Sequence, residues 1–249
     1  MLTITELAST AAAFGVAEEQ VRRDHLLSHL LAVLSDEVAE QVVFFGGTAL
    51  ARTLLPHSRL SEDLDLIAVG SRGEVARTVE SVVVRGVRRE YPGLQWDPRL
   101  SAVRDTETAV LHSPDGLAVR VQLLDSLGYP RWPTAPTDLV QRYSDARPAR
   151  LSVPTGPSFA AWKTVAYAER RAPRDLFDLW GLAQMGSVNE EAVELYERLG
   201  PTGRPPAAHV FAEAPDESQW QRELASQTRL TVTAATAVAL VRQAWRDVR

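Results

Sequence analysis

The chain has 249 residues, 45% of them hydrophobic and 24% charged, an ordinary globular composition with length for one large domain or two small ones. It contains no cysteine, which excludes a disulfide framework and a Cys-ligated zinc centre. Its net charge of −5 argues against a protein that coats nucleic acid. Residues 4–15 and 18–38 are predicted helices. In the second, Leu26, Leu27, Leu30, Leu31 and Leu34 recur at spacings of three and four, the period of a buried helical stripe. Residues 42–45 form a β-branched and aromatic run expected as a buried strand, which Gly46-Gly47 ends. A short helix over 48–54 is stopped by Pro56, and a second strand covers 64–69. A helix over 74–90 turns Val75, Val79, Val82 and Val83 inward. Strands follow at 94–98, 108–112 and 117–124, with Pro114-Asp115-Gly116 as the turn between the last two. This order describes a small mixed sheet with helices on one face.

Residues 130–157 carry Pro130, Pro133, Pro136, Pro148, Pro154 and Pro157 and are expected as a connection with one short helix. The pattern beyond is helical, at 158–170, 174–184, 189–199, 217–227 and 231–249. The expected organisation is a core at 1–130, a Pro-rich connection at 131–157 and a helical domain at 158–249. The beginning of the chain lacks a basic stretch followed by an apolar run, and the longest apolar run, near Leu26 to Leu34, is too short to span a bilayer. A cytoplasmic location without a membrane partner is expected.

Two motifs carry chemistry. On a strand, Asp63 and Asp65 share one face while Leu64 and Leu66 share the other. Adjacent carboxylates repel, and a divalent cation removes that cost; magnesium takes one or two carboxylates and completes its shell with phosphate oxygens and water. An Asp-x-Asp pair also occurs at solvated strand ends. Gly46 and Gly47, at a strand-to-helix junction, allow the backbone to approach a phosphate, with Thr48 as a cap or phosphate ligand. The same pair also serves as a plain tight turn, and no Gly-Lys-Ser/Thr follows to make a Walker A loop. Ser61, two residues before Asp63, is either a polar strand entry or a contact to the terminal phosphates.

Of 27 basic residues, only Lys163 is lysine. Lysine is a compact charge that can be aimed at one phosphate oxygen, which arginine's fork does less well. Pro173 separates the helix of Lys163 from the next, which places Asp175 in a helical first turn, where negative charge is favoured. Asp178 can pair with Arg174 at i,i+4. The arginines cluster at 85, 88 and 89, at 142, 147 and 150, and at 170, 171 and 174, either as solvated helix faces or as phosphate contacts.

Taken together, Arg23-Asp24-His25-Leu26-Leu27, Phe44-Phe45-Gly46-Gly47-Thr48-Ala49-Leu50, Ser61-Glu62-Asp63-Leu64-Asp65, Lys163 and Arg174-Asp175-Leu176-Phe177-Asp178-Leu179 resemble the AbiEii/AbiGii-type nucleotidyltransferase toxins, which include the MenT-like toxins. The resemblance runs from about residue 23 to residue 180. It implies an α+β fold, a DNA polymerase β-like nucleotidyltransferase core followed by a helical C-terminal half. It implies Mg²⁺ (or Mn²⁺) held by Asp63 and Asp65, and an NTP substrate cradled by Gly46, Gly47, Thr48 and Ser61. Lys163 is then needed for activity, offsetting charge on the triphosphate, and Asp178 or Asp175 acts as the base. The implied activity is transfer of NMP to the 3′ end of tRNA, blocking aminoacylation, with a cognate antitoxin as partner and the arginine clusters on the RNA backbone. Alternatives are a protein or small-molecule acceptor, and kinase-like phosphorylation of the antitoxin or of Ser61. One departure stands out: the strand expected to carry a third carboxylate has Gln122 there, with Asp125 only at its end, which speaks against a three-carboxylate, two-metal arrangement.

Overall fold

A computed structural model of the chain describes residues 1–127 and 129–248. They divide into two units, one of Met1–Tyr129 with Ala135–Val153, the other of Pro130–Thr134 with Pro154–Arg249. Among the described residues no helix is long and apolar enough to cross a membrane.

The first unit opens with α1 (Ile4–Phe14). Thr3 and Glu6 form a capping box at its start, and Gly15 ends it in the left-handed conformation. α2 (Glu18–Val38) buries the leucines expected from their spacing, each of Leu26, Leu27, Leu30, Leu31 and Leu34 being inaccessible. β1 (Val42–Phe45), α3 (Gly46–Ala51), β2 (Asp63–Ala68) and α4 (Arg72–Gly86) follow, then β3 (Gln95–Trp96), β4 (Thr108–His112) and β5 (Ala118–Leu124). α2 and α4 pack on each other and against β5.

The sheet has seven strands in the order β3-β4-β5-β2-β1-β7-β6, where β6 is Thr134–Leu139 and β7 is Ala149–Pro154. β1 lies antiparallel to β2 and parallel to β7, and β2 lies parallel to β5. Strands β6 and β7 correct one expectation. The Pro-rich connection with a short helix is instead a pair of strands completing the sheet. Proline weighs against a central strand because it cannot donate to the ladder, but Pro136 sits in the edge strand β6 and Pro154 is the last residue of β7. The expected strand at 94–98 shortens to two residues, and the helix over 74–90 stops at Gly86.

The second unit contains α5 (Gly156–Arg170), α6 (Pro173–Gln184), α7 (Glu190–Leu199), α8 (Glu217–Leu224) and α9 (Ala234–Asp247). Thr155, Asn189, Asp216 and Thr233 each cap a helix with a side-chain oxygen, which explains why α9 begins at Ala234 and not three residues earlier. α5 and α6 pack together, with α7 on α5 and both α8 and α9 on α6. Trp220 and Trp245 fill the core between them, the Trp220 indole donating to the Val232 carbonyl at 2.9 Å.

A buried charge network holds the first unit together. Asp24 on α2 accepts from Arg52 at 2.8 Å and from the Tyr143 hydroxyl at 2.9 Å, with Arg142 at 3.4 Å. Arg52 also donates to the Val140 carbonyl at 3.0 Å, and Arg142 to the carbonyls of Ala51 at 2.7 Å and Pro56 at 3.0 Å. Burial pulls the fully enclosed Arg52 guanidinium down to about 10, against the opposing field of Asp24. Removing one partner of such a pair strands the other charge. The Asp24→Ala variant is therefore expected to lose about 3–5 kcal/mol of unfolding free energy in urea denaturation; a loss below about 1 kcal/mol would show that the network is dispensable.

Candidate active site

β2 alternates as its sequence requires. Leu64 and Leu66 are inaccessible in the core, while Asp63, Asp65 and Ile67 are partly exposed on the other face. Its register with β5 pairs Asp63 with Arg120 and Asp65 with Gln122, so these four side chains share one face of the sheet. Arg120 donates to Asp63 at 2.8 Å, and this contact raises the arginine's pKa. Gln122 stands where a third strand carboxylate was absent in the sequence, and its amide donates to the Asp105 carbonyl at 3.2 Å. Asp125 lies beyond β5 and accepts from the Leu127 amide at 3.0 Å.

β1 runs antiparallel beside β2 and delivers the glycine pair next to Asp65. Gly46 has φ +78°, and a Cβ there would lie 2.0 Å from Asp65 Oδ2. Only glycine leaves room for that carboxylate and adopts this backbone at no cost. A Cβ on Gly47 would lie 2.3 Å from an Arg59 guanidinium nitrogen and 3.2 Å from Ser61 Oγ. The first turn of α3 is therefore surrounded by Asp65, Arg59 and Ser61. Thr48 is not the helix cap: it is buried, and its hydroxyl donates to the main-chain carbonyl of Asp63, tying α3 to β2.

In this first unit the structure brings together Gly46, Gly47, Ser61, Asp63 and Asp65, and adds Arg59 and Arg120, which sequence reasoning missed. Arg120 alternates with Gln122 along β5, but its position beside Asp63 depends on the β2–β5 register, which has no local signature. The site fits a divalent cation by its donor set. Two carboxylates on one face need a positive partner, oxygen donors suit magnesium, and Asp63 already takes a cationic group.

Lys163, Asp175 and Asp178 lie in the second unit and meet each other. Lys163 on α5 donates to Asp175 at 3.0 Å and contacts Asp178 at 2.7 Å, all three being buried. Asp178 thus reaches Lys163, where the sequence offered Arg174 as a helical neighbour. Arg170 grips Asp175 with two nitrogens, at 2.5 and 2.8 Å. Burial pushes the Asp175 carboxyl up, but Lys163 and then Arg170 pull it further down, to about 2. A carboxylate so firmly ionised is a weak base and a strong anchor. The arginines of the 142–150 cluster are engaged within the chain: Arg142 with Asp24, Arg147 with Asp36, and Arg150 with Asp138 at 2.9 Å.

The family model of the AbiEii nucleotidyl transferase toxin of type IV toxin–antitoxin systems matches residues 29–247. In structure the chain is similar to MenT4, a nucleotidyltransferase toxin from Mycobacterium tuberculosis H37Rv, with 24% identity, 98% of this chain and 89% of that chain covered, and a TM-score of 0.70. An antigenic nucleotidyltransferase-like protein from Paracoccidioides brasiliensis shares 14% identity over 64% of this chain and 76% of that one, at a TM-score of 0.40. No curated protein matches the chain in sequence.

The depressed pKa of Asp175 has a pH consequence. A carboxylate held below its unfolded value of 3.8 stabilises the fold above that value, and the contribution is lost as pH falls from about 4 towards 2. Its size is about 2 kcal/mol. Unfolding free energy measured from pH 5 to pH 2.5 is expected to fall less steeply in Asp175→Asn than in the wild type; parallel profiles would remove this role.

Proposed function

The chain belongs to the AbiEii nucleotidyl transferase toxin family of type IV toxin–antitoxin systems, and from that premise we propose that it transfers NMP from an NTP to the 3′ end of tRNA, with a cognate antitoxin as partner. The observation that carries this reading is the shared face of Asp63 and Asp65 against the glycine turn at Gly46 and Gly47. Asp63 and Asp65 would hold Mg²⁺ (or Mn²⁺), which supplies neutralisation of the triphosphate charge. The chain's residues do the rest. Arg59 and Ser61, gathered over Gly47, offer donors to the β- and γ-phosphate oxygens, so the triphosphate is bound by an arginine fork and a hydroxyl as well as by backbone. Thr48 acts indirectly, fixing the glycine turn to β2 through its bond to Asp63. Arg120, more than half exposed, leaves Asp63 when a better cation takes the carboxylate.

In the transfer step the acceptor hydroxyl loses its proton to a base, its oxygen bonds to the α-phosphorus, and the bond to the departing pyrophosphate breaks. The catalytic effect comes mainly from positioning and charge stabilisation. Lys163 is assigned the charge on the leaving pyrophosphate. Asp178 is the base of this proposal, while Asp175, pinned by Lys163 and Arg170, positions the lysine. An RNA acceptor is supported by a cavity of about 840 Å³ beside α4, lined by Arg77, Arg85, Arg88, Arg99 and Trp96, which joins backbone-binding charge to a stacking surface.

Incubation of the full chain with total tRNA and each α-labelled NTP is expected to label tRNA. Asp63→Ala and Lys163→Ala should each lower labelling by about a hundredfold or more. Label on protein instead of RNA, or transfer only from γ-labelled NTP, would replace the reading with protein modification or a kinase reaction. Because Arg120 competes for Asp63, Arg120→Gln is expected to lower the Mg²⁺ concentration giving half-maximal rate by about two- to fivefold, the range of an exposed ion pair. A raised requirement in that variant would mean that Arg120 helps bind substrate.

A further inference from the structure

Apart from Asp63 and Asp65, three side chains of the first unit converge on one point. His25 and His29 lie four residues apart on α2, so their imidazoles leave one face a turn apart. Asp145, in the segment between β6 and β7, approaches them. The two Nε2 atoms are 3.3 Å apart. His25 Nε2 lies 3.0 Å from Asp145 Oδ1 and 3.3 Å from Oδ2, and His29 Nε2 lies 3.6 Å from Oδ2. Zinc binds imidazole nitrogen and carboxylate oxygen at about 2.0–2.2 Å, so two ligands at the tetrahedral angle lie roughly 3.3 Å apart. The observed spacings bracket that edge without any side chain having to move far.

One tautomer of His25 suits a metal at this point. His25 Nδ1 is 2.5 Å from the Tyr91 hydroxyl, which in turn donates to the Arg22 carbonyl at 3.5 Å. When Nδ1–H donates to the phenol oxygen, Nε2 turns its lone pair towards Asp145 and His29, the tautomer a metal takes; in the reverse tautomer Nε2–H donates to Asp145. A hydrogen-bonded second nitrogen is the usual support of a metal-binding histidine. The imidazoles are nearly enclosed, at 4% and 7% exposure, and Asp145 is at 22%. The Met1 amino group also touches Asp145 Oδ2, at 2.5 Å. It is fully exposed, and it yields that oxygen when the metal binds.

We propose that His25, His29 and Asp145 bind one zinc ion that clasps α2 to the segment between β6 and β7. Two nitrogens and one oxygen select zinc over magnesium, which prefers oxygen donors throughout. The clasp is structural in effect. The segment it secures also carries Arg142 and Tyr143, which complete the network around Asp24.

The test uses the full chain in the Asp63→Ala background, which weakens metal binding at the other carboxylate site. After chelator treatment and equilibration with zinc in excess Mg²⁺, one equivalent of zinc is expected to remain bound, with Tm raised by about several degrees. Cobalt(II) in its place should give the visible bands of a tetrahedral ion. His29→Gln and Asp145→Asn should each weaken zinc binding at least about tenfold and abolish those bands, with unchanged far-UV circular dichroism. Should His29→Gln fail to fold, Asp145→Asn, at a partly exposed position outside helix and strand, decides the matter alone. Absence of zinc binding at micromolar concentration, or equal stoichiometry and spectra with and without Asp145→Asn, would overturn the proposal.

Discussion

Much of the first unit hangs on a single buried carboxylate. Asp24 is nearly inaccessible, and it draws Arg52, Arg142 and Tyr143 to α2 from two separate parts of the chain. A guanidinium as enclosed as that of Arg52 needs acceptors, and Asp24 supplies both a carboxylate and a main-chain carbonyl to its Nη2 while Val140 takes Nη1, leaving Nε alone without a partner among the described residues. The residue that follows α3 is thereby anchored at a fixed distance from α2. Since α3 begins at Gly46, the network also sets where the glycine turn lies beside β2. A fold-stabilising ion pair and the geometry of the candidate site are in this way parts of one construction.

Charge neutralisation also organises the residues of the candidate site. Asp63 has Arg120, and Asp175 has both Lys163 and Arg170, with Asp178 against the same lysine. The two kinds of pair differ in exposure, and that difference separates their roles. The Asp63 pair lies in reach of water, where an ion pair is weak and exchangeable. Lys163, Asp175 and Asp178 are buried, where breaking a pair leaves an uncompensated charge, so they behave as a fixed assembly, with Arg170 reaching Asp175 from the exposed surface. A site that must accept an incoming cation is well served by the first arrangement, and one that must hold a side chain still is served by the second.

Local patterns made most of the fold legible. Leucines at helical spacing marked α2, valines marked α4, and Pro114-Asp115-Gly116 marked the turn between β4 and β5. Alternation along β2 correctly put Leu64 and Leu66 in the core and both aspartates on the other face. Proline misleads where strand order is not encoded locally, since Pro136 is compatible with a strand only because β6 is at the sheet edge. Thr48, expected as a cap or phosphate ligand, does not cap α3 and donates its hydroxyl to the Asp63 carbonyl.

Sequence alone determined the residues whose placement follows from the backbone of their own element. These are the glycine pair at a strand-to-helix junction, two aspartates at a strand's two-residue period, and a glutamine where a third carboxylate is absent. Tertiary structure decided the partners. Arg120 beside Asp63, Arg59 and Ser61 over Gly47, Arg52 on Asp24, and Asp145 against His25 and His29 join residues separated by 12 to 120 positions or set by strand register. Nothing in a local pattern encodes such contacts. Charges and lone pairs act through space, and only packing determines which of them end within 3 Å of one another.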